Sequence, residues 1–185
     1  MGAEKKILVL GLGNVLMEDE GVGVRAVELL QSRYHLPETV ELIDGGTSGT
    51  ELLEPMRGRE HLLIADAVQT GDPPGTLVRL SNDQVPAFFQ TKISNHQVGL
   101  SDLLAVLQVS DEAPRHITII GMVPRSLRNV LGLCEETLEG LEQMVRMLLT
   151  ELRSVGIEPR ERSVPLRGFW AEKTTEAVPL FPSIR

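Results

Sequence analysis

Four short runs of apolar residues, at 7–10, 39–43, 61–65 and 117–123, interrupt an otherwise mixed chain. Each is bounded by polar or glycine residues, the pattern of strands covered on both faces in a parallel sheet. Between them the spacing changes to three and four. Val24, Val27, Leu30 and Tyr34 predict a helix over 21–34. Leu100, Leu103, Leu104 and Leu107 predict one over 97–107, and a short one fits 50–56. The longest, over 138–155, carries Leu141, Val145, Leu148, Leu149 and Leu152 on one face and is closed by Gly156. The stretch 67–75, rich in glycine and proline, is too short for a helical crossover. The strand after it, 76–80, is therefore expected to run antiparallel at an edge.

Strands alternating with helices predict a three-layer α/β/α domain around a mostly parallel, mixed sheet. The organisation expected is a single α/β domain over 1–157 followed by a tail over 158–185. The tail holds four of the eleven prolines and loses the periodicity. It is expected either to dock through Phe169, Trp170 and Phe181 or to remain flexible.

Charge narrows the function. A net charge of −8 opposes a nucleic-acid backbone as partner, which requires a cationic face. No stretch is long and apolar enough to span a membrane. With one cysteine, Cys134, no disulfide forms within the chain, which suits a reducing cytoplasm. Cys134 reads as a small buried hydrophobe whose acidic neighbours Glu135 and Glu136 raise its thiol pKa.

In open α/β sheets, sites gather beyond the carboxyl ends of the strands. There the first strand leads through Gly11-Leu12-Gly13-Asn14 to Glu18-Asp19-Glu20, the second ends at Asp44, and the third at Asp66. A further polar cluster is Ser94-Asn95-His96-Gln97. The Gly-x-Gly turn suggests a dinucleotide cradle. Leu16 replaces the third glycine, however, and three acids crowd the position that a pyrophosphate would take. Asp19 as helix N-cap accounts for one of these acids, and a bound cation is the better reason for the set. Glu20, Asp66 and His96 together make a two-carboxylate, one-imidazole site. That donor set suits nickel, zinc or iron more than magnesium or calcium. For Asp66 alone a turn role is as good a reading, and for His96 alone a surface histidine is the better one. His35, His61 and His116 read as structural.

With these residues in place, the chain closely resembles the hydrogenase maturation endopeptidases. The resemblance rests on Ile7-Leu8-Val9-Leu10-Gly11-Leu12-Gly13-Asn14, Asp19-Glu20-Gly21-Val22-Gly23-Val24 and Asp44-Gly45-Gly46-Thr47. It continues in Leu62-Leu63-Ile64-Ala65-Asp66-Ala67, Lys92 through Leu100, and Gly121-Met122-Val123-Pro124-Arg125-Ser126-Leu127, all in order over roughly residues 5–150. It implies a phosphorylase/hydrolase-like α/β/α fold with a five-stranded mixed sheet. It also implies removal of a C-terminal peptide from the large-subunit precursor of nickel–iron hydrogenase after metal insertion. The family's catalytic, metal-contacting positions match Glu20, Asp66 and His96, and the nickel is supplied by the precursor. The loops 44–47 and 122–126 would shape the substrate groove. A monomer acting in the cytoplasm is expected. The style is that of enzymes serving membrane-bound uptake hydrogenases, and nothing matches the tail beyond Arg160.

Two rival readings share the fold. Peptidyl-tRNA hydrolases also open on a strand and Gly-Leu-Gly-Asn, but they continue with Pro-Gly and later a Thr-Arg-His-Asn run, whereas Asn14 here precedes Val15-Leu16. A non-enzymatic metal-binding chaperone would keep the fold and leave its substrate uncut.

Overall fold

The computed structural model describes residues 6–86 and 99–176. Strands β1 (Ile7–Leu12), β3 (Val40–Gly46), β4 (His61–Ala67), β5 (Leu77–Ser81) and β6 (His116–Met122) form one sheet in the order β3-β1-β4-β6-β5. All neighbours run parallel except β5, which is antiparallel to β6 at the edge, as the short 67–75 connection requires. The five-stranded mixed sheet is therefore the one expected.

The period of two sorts each strand into two cores. Ile7, Val9, Leu63, Ala65, Ile120 and Met122 face helices α1 (Val22–Arg33) and α4 (Glu135–Ser154). Leu8, Leu10, Leu62, Ile64 and Ile119 face the opposite layer. That layer consists of the short helix α2 (Leu53–Met56) and helix α3 (Leu100–Val109), which contributes Leu103 and Leu107. Helix α3 starts at Leu100, where the Asp102 carboxylate accepts the Gly99 N–H at 2.9 Å. Gln97 and Val98 lie outside the described residues. The last turn of α4 passes into Gly156 at φ +82°, as expected for a left-handed helix end.

The approach of α1 to the sheet is set by one residue. At Gly23 a Cβ would fall 2.1 Å from the Ala65 carbonyl oxygen and 2.4 Å from that of Leu12. Only a glycine lets the start of α1 rest directly on the ends of β1 and β4. The 3-10 turn Glu18–Gly21 just before α1 is thereby brought against β4, the strand whose carboxyl end carries Asp66.

Beyond Gly156 the chain turns back over α1. Strand β7 (Arg160–Glu161) pairs antiparallel with β2 (Tyr34–His35), and helix α5 (Phe169–Glu176) packs on α1. The contacts holding this segment are mostly polar, which is why no hydrophobic period announces it. Trp170 docks, Phe169 stays exposed, and Phe181 lies outside the described residues.

Gly23→Ala is expected to lower the unfolding free energy by about 2–4 kcal/mol, because both obstructing atoms belong to the main chain and cannot turn aside. Urea unfolding followed by circular dichroism measures it.

Candidate active site

The four parallel strands bring their carboxyl ends to one edge. Register places Gly11 between Asp44 of β3 and Ala65 of β4, and Asp66 opposite Gly121 of β6. The loop after β1 delivers the acidic turn to this edge. Gly13, at φ +121°, adopts a backbone conformation closed to most residues, and a side chain there would collide with the Glu20 carbonyl. Asn14 Oδ1 accepts the Leu16 N–H at 3.0 Å, which closes the next turn. The 3-10 turn follows with Glu18 in the left-handed region, φ +50°. For a glutamate that conformation costs about 1–2 kcal/mol and has to be held by its surroundings.

The three acids of this turn have three different settings. Asp19 is fully buried. Its Oδ2 accepts the main-chain N–H groups of Arg125 and Ser126, each at 3.0 Å, and its Oδ1 accepts that of Cys134 at 2.9 Å. The Cys134 thiol donates to the same carboxylate at 3.2 Å. Glu18, also buried, receives the Arg128 guanidinium as a fork, Nη2 to Oε1 at 2.7 Å and Nε to Oε2 at 3.1 Å. Main-chain bonds run beside these, from Glu18 N–H to the Val130 carbonyl and from Asp19 N–H to that of Ser126. Glu20 is the half-buried member at the sheet edge.

This corrects the expectations for the first two. Asp19 is not a helix N-cap: Gly21 takes that position at α1 and no side chain caps it. The mutual repulsion of Glu18 and Asp19 is offset by Arg128 and by donors of the loop after β6. Within that loop, Ser126 gives its N–H to Asp19, and the preceding Met122 and Val123 are core residues. The segment 122–126 thus carries the acidic turn from below.

Cys134 is half-buried and hydrogen-bonded, not a packed hydrophobe. Burial is the main reason that its thiol is pushed up, against a lowering contact with Thr137 Oγ1 at 3.2 Å. The acid that adds to the rise is Asp19 rather than Glu135 or Glu136. As a protonated donor with its hydrogen engaged, Cys134 is a poor nucleophile.

Of the expected triad, Glu20 and Asp66 come to the same edge. His96 lies outside the described residues, among which no group of three metal-ligating side chains occurs. The start of α3 is nevertheless fixed. Its far end joins through Glu112, whose carbonyl takes the Gly58 N–H, to the side where β4 begins. Gly99 therefore heads a helix that points back along the strands toward their carboxyl ends. Asp44, exposed at the end of β3, accepts the Trp170 indole N–H at 2.8 Å, a partner that no motif foretold. His61 and His116 stack at 4.9 Å at the opposite end of the sheet, remote from this edge.

The Asp-Gly-Gly end of β3 and Asp66 of β4 fall within the match to a family model, hydrogenase maturation protease, that covers residues 24–151. The chain belongs to the hydrogenase maturation protease family. It is 47% identical over 159 residues to the hydrogenase 2 maturation protease of Escherichia coli, covering 84% of this chain and 97% of that one. With the hydrogenase expression/formation protein HupD of Thiocapsa roseopersicina it shares 40% over 164 residues, 88% of this chain and 74% of the relative. The fold matches the hydrogenase maturating endopeptidase HybD of E. coli with a TM-score of 0.82 at 46% identity, over 85% of this chain and 98% of that chain. Like the family, the protein is a peptidase. About a sixth of this chain has no counterpart in the E. coli relative, close to the length of the segment beyond Gly156.

Two outcomes follow from the acidic turn. Asp19→Ala strands three main-chain donors and is expected to cost about 2–5 kcal/mol in chemical denaturation. For Glu18, the Arg128 fork and a Ser126 hydrogen bond hold the carboxyl down, from its ordinary 4.5 to about 2, against the effect of burial. A lowered carboxyl stabilises the fold fully above 4.5, and the contribution is lost as pH falls from there through about 2. Glu18→Gln is expected to be less stable at neutral pH and to lose stability less steeply across that window. Melting temperatures of both proteins at stepped pH measure this.

Proposed function

We propose that this protein removes the C-terminal extension of the nickel–iron hydrogenase large-subunit precursor once nickel has been inserted, in the cytoplasm. Glu20, Asp66 and His96 contact the nickel carried by that precursor. The observation that carries the reading is the arrival of Glu20 and Asp66 at one strand edge, in a chain whose family consists of hydrogenase maturation proteases. Two carboxylates and an imidazole suit a late transition metal, and three protein ligands leave positions open for groups of the substrate. Glu18 and Asp19 support the arrangement, since their donors fix the turn and leave Glu20 as the acid to face the substrate.

The metal supplies Lewis-acid polarisation of a carbonyl and a lowered pKa for a bound water. The chain supplies the remainder. Glu20 and Asp66 are the carboxylates available to take the proton of the attacking water. His96, the one imidazole of the set, follows the Lys92-Ile93-Ser94-Asn95 stretch of the family pattern. The Asp44-Gly45-Gly46-Thr47 loop borders the groove that receives the extension. A single cysteine, with no disulfide possible within the chain, agrees with a reducing compartment. No helix among the described residues is long and apolar enough to cross a membrane.

Purified nickel-loaded precursor, incubated with the protein and weighed by mass spectrometry, is expected to lose its C-terminal peptide. Nickel-free precursor is expected to stay intact. Glu20→Gln, Asp66→Asn and His96→Ala should each slow the reaction by about a hundredfold or more. Wild-type processing by both Glu20→Gln and His96→Ala would refute the assignment. A chaperone would leave the loaded precursor at full length, and a peptidyl-tRNA hydrolase would act on peptidyl-tRNA instead.

A further inference from the structure

We infer that Trp170 is a positioning residue for the substrate-binding edge: it fixes the Asp44 carboxylate and makes the docked segment 160–176 a wall of the groove. The inference rests on the proposed function for the identity of the substrate.

Asp44 lies two residues before the end of β3, level with Gly11 and next to Gly45, which is buried against Leu10 and Leu12. Its backbone is therefore fixed while its side chain is exposed. A solvated aspartate at a strand end exchanges rotamers freely, and a donor on one oxygen selects a single orientation. The Trp170 indole Nε1–H is such a donor, 2.8 Å from Oδ2, and an indole nitrogen has no acceptor role. The other oxygen keeps its lone pairs for N–H groups of an incoming peptide. Trp170 also borders the small pocket lined by Val15, Glu18, Gly21 and Thr174, which places it beside the turn that carries Glu20.

The indole is held in turn. The Glu28 carboxylate of α1 accepts the Trp170 N–H at 2.5 Å and the Ala171 N–H at 3.2 Å, satisfying the first free donors of α5 with a favourably placed negative charge. Arg25 Nε lies 3.1 Å from the same carboxylate, and Arg25 Nη1 donates to Thr174 Oγ1 at 3.3 Å. At Gly168 a Cβ would fall 2.8 Å from Glu28 Cδ, so the residue before α5 must be small for this approach. Further back, Ser32 and Leu166 exchange two hydrogen bonds, Arg162 N–H reaches the Arg33 carbonyl at 2.7 Å, and β7 pairs with β2. Anchors distributed along the whole segment describe a fixed wall. A lid poised to swing away would be held at one end and by few contacts.

Trp170→Phe keeps an aromatic six-membered ring and removes the donor together with the five-membered ring. With nickel-loaded precursor as substrate, it is expected to raise KM about three- to tenfold and leave kcat within about twofold. Asp44→Asn is expected to raise KM likewise, and the double variant to add little to either single change. Trp170 is the sole tryptophan, so its fluorescence reports the contact without activity. Asp44→Asn is expected to shift the emission maximum while the melting temperature stays within about 2 °C. An unchanged KM in Trp170→Phe, a faster enzyme, an additive double variant or an unshifted emission each overturns the inference. If the wild-type protein leaves the loaded precursor uncut, the proposed function itself has failed.

Discussion

The fully buried Asp19 carboxylate draws main-chain donors from residues 106 to 115 positions further along the chain. A charge this deeply buried is tolerable only when its lone pairs are filled, and here two main-chain N–H groups take one oxygen and a third takes the other. The loop after β6 has no regular structure of its own, and its amides at 125, 126 and 134 would otherwise need water. Asp19 therefore serves as a small substitute for secondary structure. It organises the loop, and the loop holds the turn on which Glu20 stands.

Around that centre the other contacts divide the labour. Arg128 neutralises Glu18 and offsets the cost of its left-handed backbone. Gly23 brings α1 down onto the strand ends, which brings the turn to Asp66. Two of three adjacent acids are thus scaffolding, and the third, Glu20, is the one left for the proposed chemistry. An acidic cluster of this kind resembles a cation site in sequence and is mostly an anchor in space.

The strands were legible because a parallel sheet covered on both faces writes itself as unbroken apolar runs. The antiparallel edge followed from the length of one loop, and the long helix from the spacing of Leu141, Val145, Leu148 and Leu152. Glu20 and Asp66 were legible as strand-end acids. The roles of Glu18 and Asp19 were not, since their partners are main-chain amides and an arginine far along the chain, and a backbone donor carries no residue type to recognise. The contact of Trp170 with Asp44, and the helix α5 that carries it, were not legible for a related reason. They dock through Glu28, Ser32 and Asp44, and polar docking of an exposed helix leaves no periodic trace.

The long reach of Asp19 also bears on when the enzyme comes into being. Closing a loop of this span is unfavourable until the intervening strands have already drawn its ends together. While a chain is still emerging from the ribosome, β1, α1 and β3 can form before Arg125, Ser126 and Cys134 exist. Until then the acidic turn lacks the donors that shape it. The acidic turn consequently takes its final shape only when the sheet has brought both ends of this contact together.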